Sequence, residues 1–391
     1  MTDPWTPALT LPGVGSSPAL LLDGTALTKA AVLKAADRVD VSQGLVDARG
    51  RPHTEMLVGV VAAARARVPV VIGTGPDTPP PPPGSLPADA FLVVARSGSS
   101  AAPRTVVRTL RSWTSSYPGY SALTGLGAGD RLLLTGPLSS TLQLFAAVQA
   151  LACGVLVTDE PAVANAAVCV PARLDAVVAA APHLRSVVVA GARLSEQAAH
   201  RAADAGIAVA EYYGAAELSF VAARRWPERL TPFPGVEVQI RDRRLWSRSA
   251  FHCSQISGSP GGFAGDTTGF ATVGDVAWLH GDGSLTILGR GSEAVLVGGR
   301  TVIVEDVEAT IGSLHGVRDV AVAAQPHARL GATLVAMVAL TDGALLPGVR
   351  DRARAVLDPE WMPRRWVVVE DVPRTAPGKI DRRAVRAAMT P

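Results

Sequence analysis

Between residues 17 and 75 the chain alternates short apolar runs with Ala-rich amphipathic ones. "PALLLDG" (18–24) is an apolar run closed by a turn pair, which predicts a buried strand. "TALTKAAVLKAADRV" (25–39) carries apolar residues at helical spacing behind a Thr cap. "TEMLVGVVAAARARV" (54–68) predicts a second helix, and "PVVIGTG" (69–75) a second strand. Strands that alternate with helices predict a parallel sheet, because parallel neighbours need a crossover rather than a hairpin. "TPPPPPGSLP" (78–87) interrupts the rhythm as a stiff surface loop.

The rhythm resumes at "AFLVVAR" (90–96), with a helix predicted within 105–124. It continues through "DRLLLTGP" (130–137), "TLQLFAAVQALACG" (141–154), "GVLVTDE" (154–160), "RLDAVVAAAPHL" (173–184), "RSVVVAG" (185–191), "SEQAAHRAADAG" (195–206) and "IAVAEYYG" (207–214). From about residue 233 the pattern becomes short strands separated by Gly-Asp turns, which predicts antiparallel β structure. After Arg290, the stretches 305–317, 318–327, 332–340, 347–357 and 364–373 read helix, strand, strand, helix, strand. That is a compact α+β unit of ordinary domain size.

Composition narrows the function. The net charge is only +3, and no stretch mixes concentrated Lys or Arg with aromatics, so no nucleic-acid partner is expected. Cys153, Cys169 and Cys253 lack metal-ligand spacing and are odd in number, so they read as buried thiols in a reducing compartment. No apolar run reaches the roughly 18 residues that cross a bilayer. The first fifteen residues lack a secretory pattern. A cytoplasmic protein without membrane insertion is the expectation.

Four segments carry chemistry. "ARSGSSAAPRTVVRT" (95–109) follows a strand; its hydroxyls and backbone N–H groups suit an anion. Taken alone, the stretch reads more readily as a Ser-rich surface loop. "AEYYGAAELS" (210–219) places Glu217 at the end of a strand, where α/β folds bind ligands. A carboxylate there can hold Mg²⁺ against phosphates, or simply favour a helix N-terminus. "VGDVAWLHGDGSLTILGR" (273–290) puts Asp275 in a turn between strands; "HGDGS" within it is itself a hairpin turn. "VPRTAPGKIDRR" (372–383) presents Lys379 from a loop constrained by Pro373, Pro377 and Gly378. A mobile ammonium suits charge that develops on a phosphoryl or acyl oxygen.

In this order the four segments resemble the adenylate-forming superfamily of acyl- and aryl-CoA synthetases, peptide-synthetase adenylation domains and luciferases. The resemblance runs from about residue 90 to the end. It implies an α/β fold: a large N-terminal domain (1–289) of mixed, largely parallel sheets with a β-rich subdomain, and a small mobile α+β C-terminal domain (290–391). It implies ATP, Mg²⁺ and coenzyme A as cofactors, with a carboxylic acid as substrate. The acid would be adenylated with release of pyrophosphate, and the thiol of coenzyme A would then displace AMP. A carrier-protein thiol, an amine acceptor, or a degenerate non-catalytic nucleotide binder remain alternatives. Fold precedent allows a homodimer.

By matched position, Lys379 looks like the adenylation lysine and Glu217 like the Mg²⁺-linked carboxylate. Ser97, Gly98, Ser99, Ser100 and Arg104 look like the phosphate-binding set. Gly191, Ala192, Tyr213, Gly214, Asp275 and Arg290 look like the adenine and ribose set. Gly298 and Gly299 match the turn beside the coenzyme A tunnel. Leu142, Phe145, Ala146, Leu218 and Phe220 are the expected acyl-pocket residues, which favours an apolar acyl or aryl group.

Departures from the family pattern are local. Ser99, Ser100 and Ala101 stand where Thr-Thr-Gly is usual, and Arg104 replaces a lysine, which turns a point charge into a fork. Ala216 stands where a phosphate-touching Thr is usual, and Ser139-Ser140 where an aromatic-His pair is common. About a hundred N-terminal residues of a typical member are missing. That shortness, with "VLVGG" (295–299), resembles the short actinobacterial o-succinylbenzoate-CoA ligases.

Overall fold

The structure, a computed structural model, describes residues 9–73, 80–96, 104–257, 263–290, 294–297, 300–327, 330–359, 361–375, 378 and 380–389. The chain divides into two compact units. The first comprises 1–239, 246–273 and 280–285; the second comprises 240–245, 274–279 and 286–391.

The first unit is built on the parallel sheets that the alternation predicts. In the larger, strands Ala208–Ala215, Ser186–Ala190, Ala166–Cys169, Arg131–Leu134, Leu156–Thr158 and Pro18–Leu22 lie side by side, all parallel. Antiparallel strands close it at both ends: Ser219–Arg225 with Thr231–Pro232, and Thr25–Thr28. Helices Leu174–Ala180 and Glu196–Asp204 bury Leu174, Val177, Ala199 and Ala202 against Val187, Val189 and Val209 of the sheet. In the second sheet, Val46–Asp47, Val70–Gly73 and Ala90–Arg96 are parallel, and Arg104–Thr109 and Gln255–Ser257 run antiparallel at its other side.

One expectation is corrected here. Residues 104–109 do not open a helix. They form a strand whose Val106 and Val107 pair with Val94 and Val93, and the helices Leu110–Thr114 and Tyr117–Thr124 begin only afterwards. β-Branched Thr105, Val106 and Val107 suit a pleated, buried surface better than a helix. Thr109 then caps the first helix, its hydroxyl accepting from Ser112 N–H at 2.9 Å.

The second unit centres on a long hairpin, Val317–His327 with Gly331–Leu340, flanked by the parallel strand Arg365–Val368. Strand alternation splits its side chains between two cores. Val320, Val322, Leu334, Ala336 and Val338 meet Val307 and Ile311 of helix Val304–Gly312. Ala321, Ala323, Val335 and Met337 face the other way, onto Val385 and Met389 of helix Arg382–Met389. The strand Arg244–Arg248 straddles the division: Ser247 lies opposite Ala271 in the first unit, and Arg244 opposite Val276 in the second. No helix among the described residues is long and apolar enough to cross a membrane.

Candidate functional site

In the first unit the carboxyl end of the parallel sheet gathers several of the expected residues. Ala190 and Tyr212 are paired in register, so Gly191 and Tyr213 follow side by side at the same edge. Gly191 has a φ of +90°, a conformation that turns the chain off the strand and that a side chain would strain. Gly191 and Ala192 are exposed; Tyr213 and Gly214 are half-buried. The loop is tied to the neighbouring strand, because Leu194 N–H donates to Glu211 Oε1 at 3.2 Å. Arg224 Nε donates to Glu211 Oε2 at 2.6 Å and holds that carboxylate in place.

Strand Ala208–Ala215 turns sharply into Ser219–Arg225. A Cβ on Gly214 would sit 2.0 Å from Ser219 O, so only glycine fits this hairpin. The turn between the strands carries Glu217, which is 1% exposed. Three successive carbonyls of the turn each accept a hydrogen bond. Ala215 O accepts from Leu218 N–H at 3.1 Å, Ala216 O from Arg108 Nη1 at 3.2 Å, and Glu217 O from Cys253 N–H at 2.8 Å. Arg108 is 2% exposed. Burial lowers its guanidinium to about 10, against the opposing pull of Cys253 and Glu217, so it stays charged at neutral pH. His252, beside this charge, is lowered to about 4, by burial first and Arg108 second; its Nε2 lies 3.1 Å from Ser247 Oγ.

The residues expected to form an acyl pocket also lie in the first unit. Leu142 is half-buried at the start of helix Thr141–Ala152, and Ala146 and Leu218 are buried. Phe145 and Phe220 are buried in an aromatic cluster with ring centroids 4.7 Å apart. Trp113, Tyr117 and Tyr120 surround Phe145 at 5.2, 5.5 and 5.1 Å, while Tyr212 and Phe233 flank Phe220 at 4.5 and 4.8 Å. Phe145 meets Tyr117, Tyr120 and Phe220 edge-to-face, whereas Phe220 and Phe233 are stacked, so the rings form one close-packed buried cluster. Of the Ser-Ser pair, Ser140 is the residue before helix Thr141–Ala152, and its N–H donates to Pro137 O at 3.0 Å.

Ser97, Gly98, Ser99, Ser100, Gly298, Gly299 and Lys379 lie outside the described residues. Arg104 is the first residue of the strand that leaves the Ser-rich loop. In the second unit, Asp275 is buried and opens strand Asp275–Leu279 instead of lying in a turn; the turn glycine is Gly274, with φ +86°. Arg290 ends strand Leu285–Arg290. The expected "HGDGS" turn is present, with His280 N–H donating to Ser284 O at 2.8 Å.

The described residues on either side of Lys379 are braced by side chains. Arg374 makes a fork with Asp319, its Nη2 lying 2.8 Å from Oδ1 and its Nε 3.1 Å from Oδ2. The same guanidinium donates from Nη1 to Gly378 O at 2.7 Å, one residue before Lys379. Gly378 has φ +86°, and its N–H donates to Thr375 O at 2.7 Å. Beyond the loop, Asp381 N–H donates to Pro373 O at 2.9 Å, and Asp381 Oδ1 caps the last helix through Ala384 N–H at 3.0 Å. Arg382 then anchors that helix to Glu308, with Nη2 to Oε2 at 2.8 Å.

Sequence reasoning overlooked Arg108, Arg374 and Asp319. A charge inside "TVVRTL" was the available signal for Arg108. Arg374 and Asp319 are 55 residues apart and carry no local signal of their pairing.

Comparison with known proteins identifies the family. Residues 16–245 match the model of the AMP-binding enzyme family, and residues 306–379 match the AMP-binding enzyme C-terminal domain. A probable 2-succinylbenzoate–CoA ligase of Mycobacterium tuberculosis is 33% identical over 221 residues, which cover 54% of this chain and 55% of that one. The chain thus spans about half the length of that relative. An uncharacterized acyl–CoA ligase of Bacillus subtilis is 26% identical over 331 residues, covering 77% and 69%. Among solved structures, ATP-bound MatB from Rhodopseudomonas palustris superposes with a TM-score of 0.80 at 20% identity, over 96% of each chain. The o-succinylbenzoate CoA synthetase of Bacillus subtilis, in complex with its acyl-adenylate, gives 0.78 at 16% identity, over 95% of each. The fold is therefore that of these enzymes, and because the family model covers more than half of its residues, the chain belongs to the AMP-binding enzyme family.

Proposed function

We propose that this protein is an ATP-dependent acid–CoA ligase. A carboxylate oxygen of the acid attacks the α-phosphorus of ATP and expels pyrophosphate, giving an acyl-adenylate. The thiol of coenzyme A then attacks the acyl carbon, loses its proton and expels AMP, giving the thioester. The observation that carries this reading is the grouping of Gly191, Tyr213 and the Glu217 turn at the carboxyl end of one parallel sheet. Nucleotides bind at such an edge in α/β folds.

In this reading Tyr213 stacks on the base, with Gly191, Ala192 and Gly214 around it. Asp275 accepts from the ribose hydroxyls and Arg290 adds a donor. Ser97, Gly98, Ser99, Ser100 and Arg104 hold the phosphates. Lys379 neutralises charge that develops at the reacting oxygens. Gly298 and Gly299 let the backbone approach the pantetheine arm. The small C-terminal domain, residues 290–391, moves between the two steps.

The residues fit magnesium. Mg²⁺ takes one or two carboxylates and otherwise phosphate oxygens and water, and Glu217 offers one hard oxygen donor on an ordered turn. The ion would supply charge neutralisation on the phosphates. The acid is proposed to be apolar or aryl, in keeping with the aromatic cluster around Phe145 and Phe220 and with the similarity to a probable 2-succinylbenzoate–CoA ligase. Such an enzyme works where ATP and coenzyme A are, in the cytoplasm.

A panel of aryl and medium-chain acids assayed for pyrophosphate release, with the products weighed by mass spectrometry, tests the reading. A CoA thioester is expected. Lys379→Ala should lower adenylation by at least about 100-fold, an ordinary loss for one stabilising contact to developing charge. It should leave thioester formation from supplied acyl-adenylate within a few-fold. Adenylation that survives in Lys379→Ala overturns the assignment, and adenylate passed to an amine or a carrier thiol but not to coenzyme A overturns the acceptor.

A further inference from the structure

We propose that Arg108 is a positioning residue of the adenylation site, whose guanidinium fixes the turn presenting Glu217 and ties it to the strand that leaves the Ser-rich loop. This inference rests on the reading of Glu217 given above.

Arg108 lies in strand Arg104–Thr109, opposite Leu92. Its side chain reaches three separate segments. Nε donates to Ser112 Oγ at 3.2 Å and Nη2 to Ser112 O at 2.9 Å, at the head of the following helix. Nη2 also donates to Phe251 O. Nη1 donates to Ala216 O at 3.2 Å. The sequence separations to Ala216 and Phe251 are 108 and 143 residues, so one planar fork joins parts of the chain that nothing local connects.

A lysine carries its donors on a single point and cannot span three carbonyl groups in this way. A buried cation is also a poor choice for stability alone. Replacing a whole buried polar network by apolar groups usually does as well or better, because desolvating a charge is expensive, whereas removing one member strands the rest. What Arg108 adds is position and charge. It clamps the middle of the three bonded carbonyls of the 215–217 turn, and its charge acts on the Glu217 carboxylate, itself 1% exposed. Ala216 takes part only through its carbonyl, which makes the missing Thr hydroxyl at that position no obstacle to holding the turn.

The test is a double-mutant cycle on nucleotide affinity, read by calorimetry with ATP in excess Mg²⁺ and again with ATP in EDTA. Glu217→Gln should weaken binding about tenfold in Mg²⁺ and leave binding in EDTA unchanged. Arg108→Gln should do the same in the wild-type background. In Glu217→Gln it should change affinity by less than about threefold, since a residue acting through another shows strong coupling. Arg108→Lys keeps the charge and most of the volume; it serves if the Gln variant does not fold. It should cost about threefold in Mg²⁺, with no further loss in Glu217→Gln. If Glu217→Gln leaves the Mg²⁺ effect intact, the reading of Glu217 fails. If Glu217→Gln removes it but the Arg108 variants act independently, or weaken binding equally in EDTA, Arg108 is only structural and the inference is overturned.

Discussion

Two segments next to expected site residues are held by arginine forks, and the two forks differ. Arg108 is 2% exposed and takes backbone carbonyls from three segments of the first unit. Arg374 is 27% exposed at its side chain and takes a carboxylate, Asp319, plus the carbonyl of Gly378. A buried fork makes the Glu217 turn part of the folding unit, because the turn cannot shift without stranding a charge. A half-exposed fork lets solvent replace either partner, so Arg374 holds Gly378 less firmly than Arg108 holds the Glu217 turn. In the proposed reaction the carboxylate serves as a fixed ligand, whereas the lysine belongs to a domain that moves between steps.

The largest effect should come from breaking the buried fork. Arg108→Met leaves Ser112 O, Ala216 O and Phe251 O without this donor; with buried unmade bonds costing about 1–3 kcal/mol each, it should cost about 3–5 kcal/mol of unfolding free energy, measured by urea denaturation of the whole chain. A loss under about 1 kcal/mol would show that the turn is independent of its clamp. Gly214→Ala attacks the same turn by sterics, since the added Cβ meets Ser219 O at 2.0 Å. Overpacking of this kind costs about 1–3 kcal/mol, and this contact with unyielding backbone belongs at the upper end. Unchanged stability there would mean that the hairpin has room the contact denies.

Arg374→Ala is expected to cost only about 1 kcal/mol in stability, as half-exposed ion pairs do. It should lower adenylation about tenfold, and Asp319→Asn should do likewise, with thioester formation from supplied adenylate retained. Equal losses in both half-reactions would erase the contrast between the two forks. A further effect is in pH. His252 is lowered to about 4 in the folded state from 6.5. The unfolded chain therefore binds the extra proton first as pH falls. Stability is full above about pH 6.5 and declines toward about pH 4. His252→Asn should flatten the fall in the thermal midpoint between pH 7 and pH 5; an unchanged slope would place the cause elsewhere.

Much of this was legible in the chain because it is local. The strand–helix alternation from Pro18 to Tyr213 follows from two periodicities, and the parallel sheets follow from the alternation. The four motifs are contiguous strings, so the family resemblance picks out Glu217, Asp275 and Lys379 from the sequence alone. Of the helix expected within 105–124, only residues 105–109 are strand instead, because their state depends on pairing with Ala90–Arg96, and a short Val-rich run fits helix or strand until a partner is present. The division of the molecule was also obscure. Residues 240–245 and 274–279 join the second unit although 246–273 belongs to the first, a sorting made by sheet pairing rather than by chain order.

The sequence by itself determined the family, the order of the motifs and the types of chemical group available. Tertiary structure alone decided which groups hold others in place. Arg108 meets Ala216 and Arg374 meets Asp319 only after the sheets have formed. Periodicity and motif spacing report forces between neighbours in the chain. The value of a buried charge depends on partners that folding brings to it, and those partners leave no mark on the residues beside it.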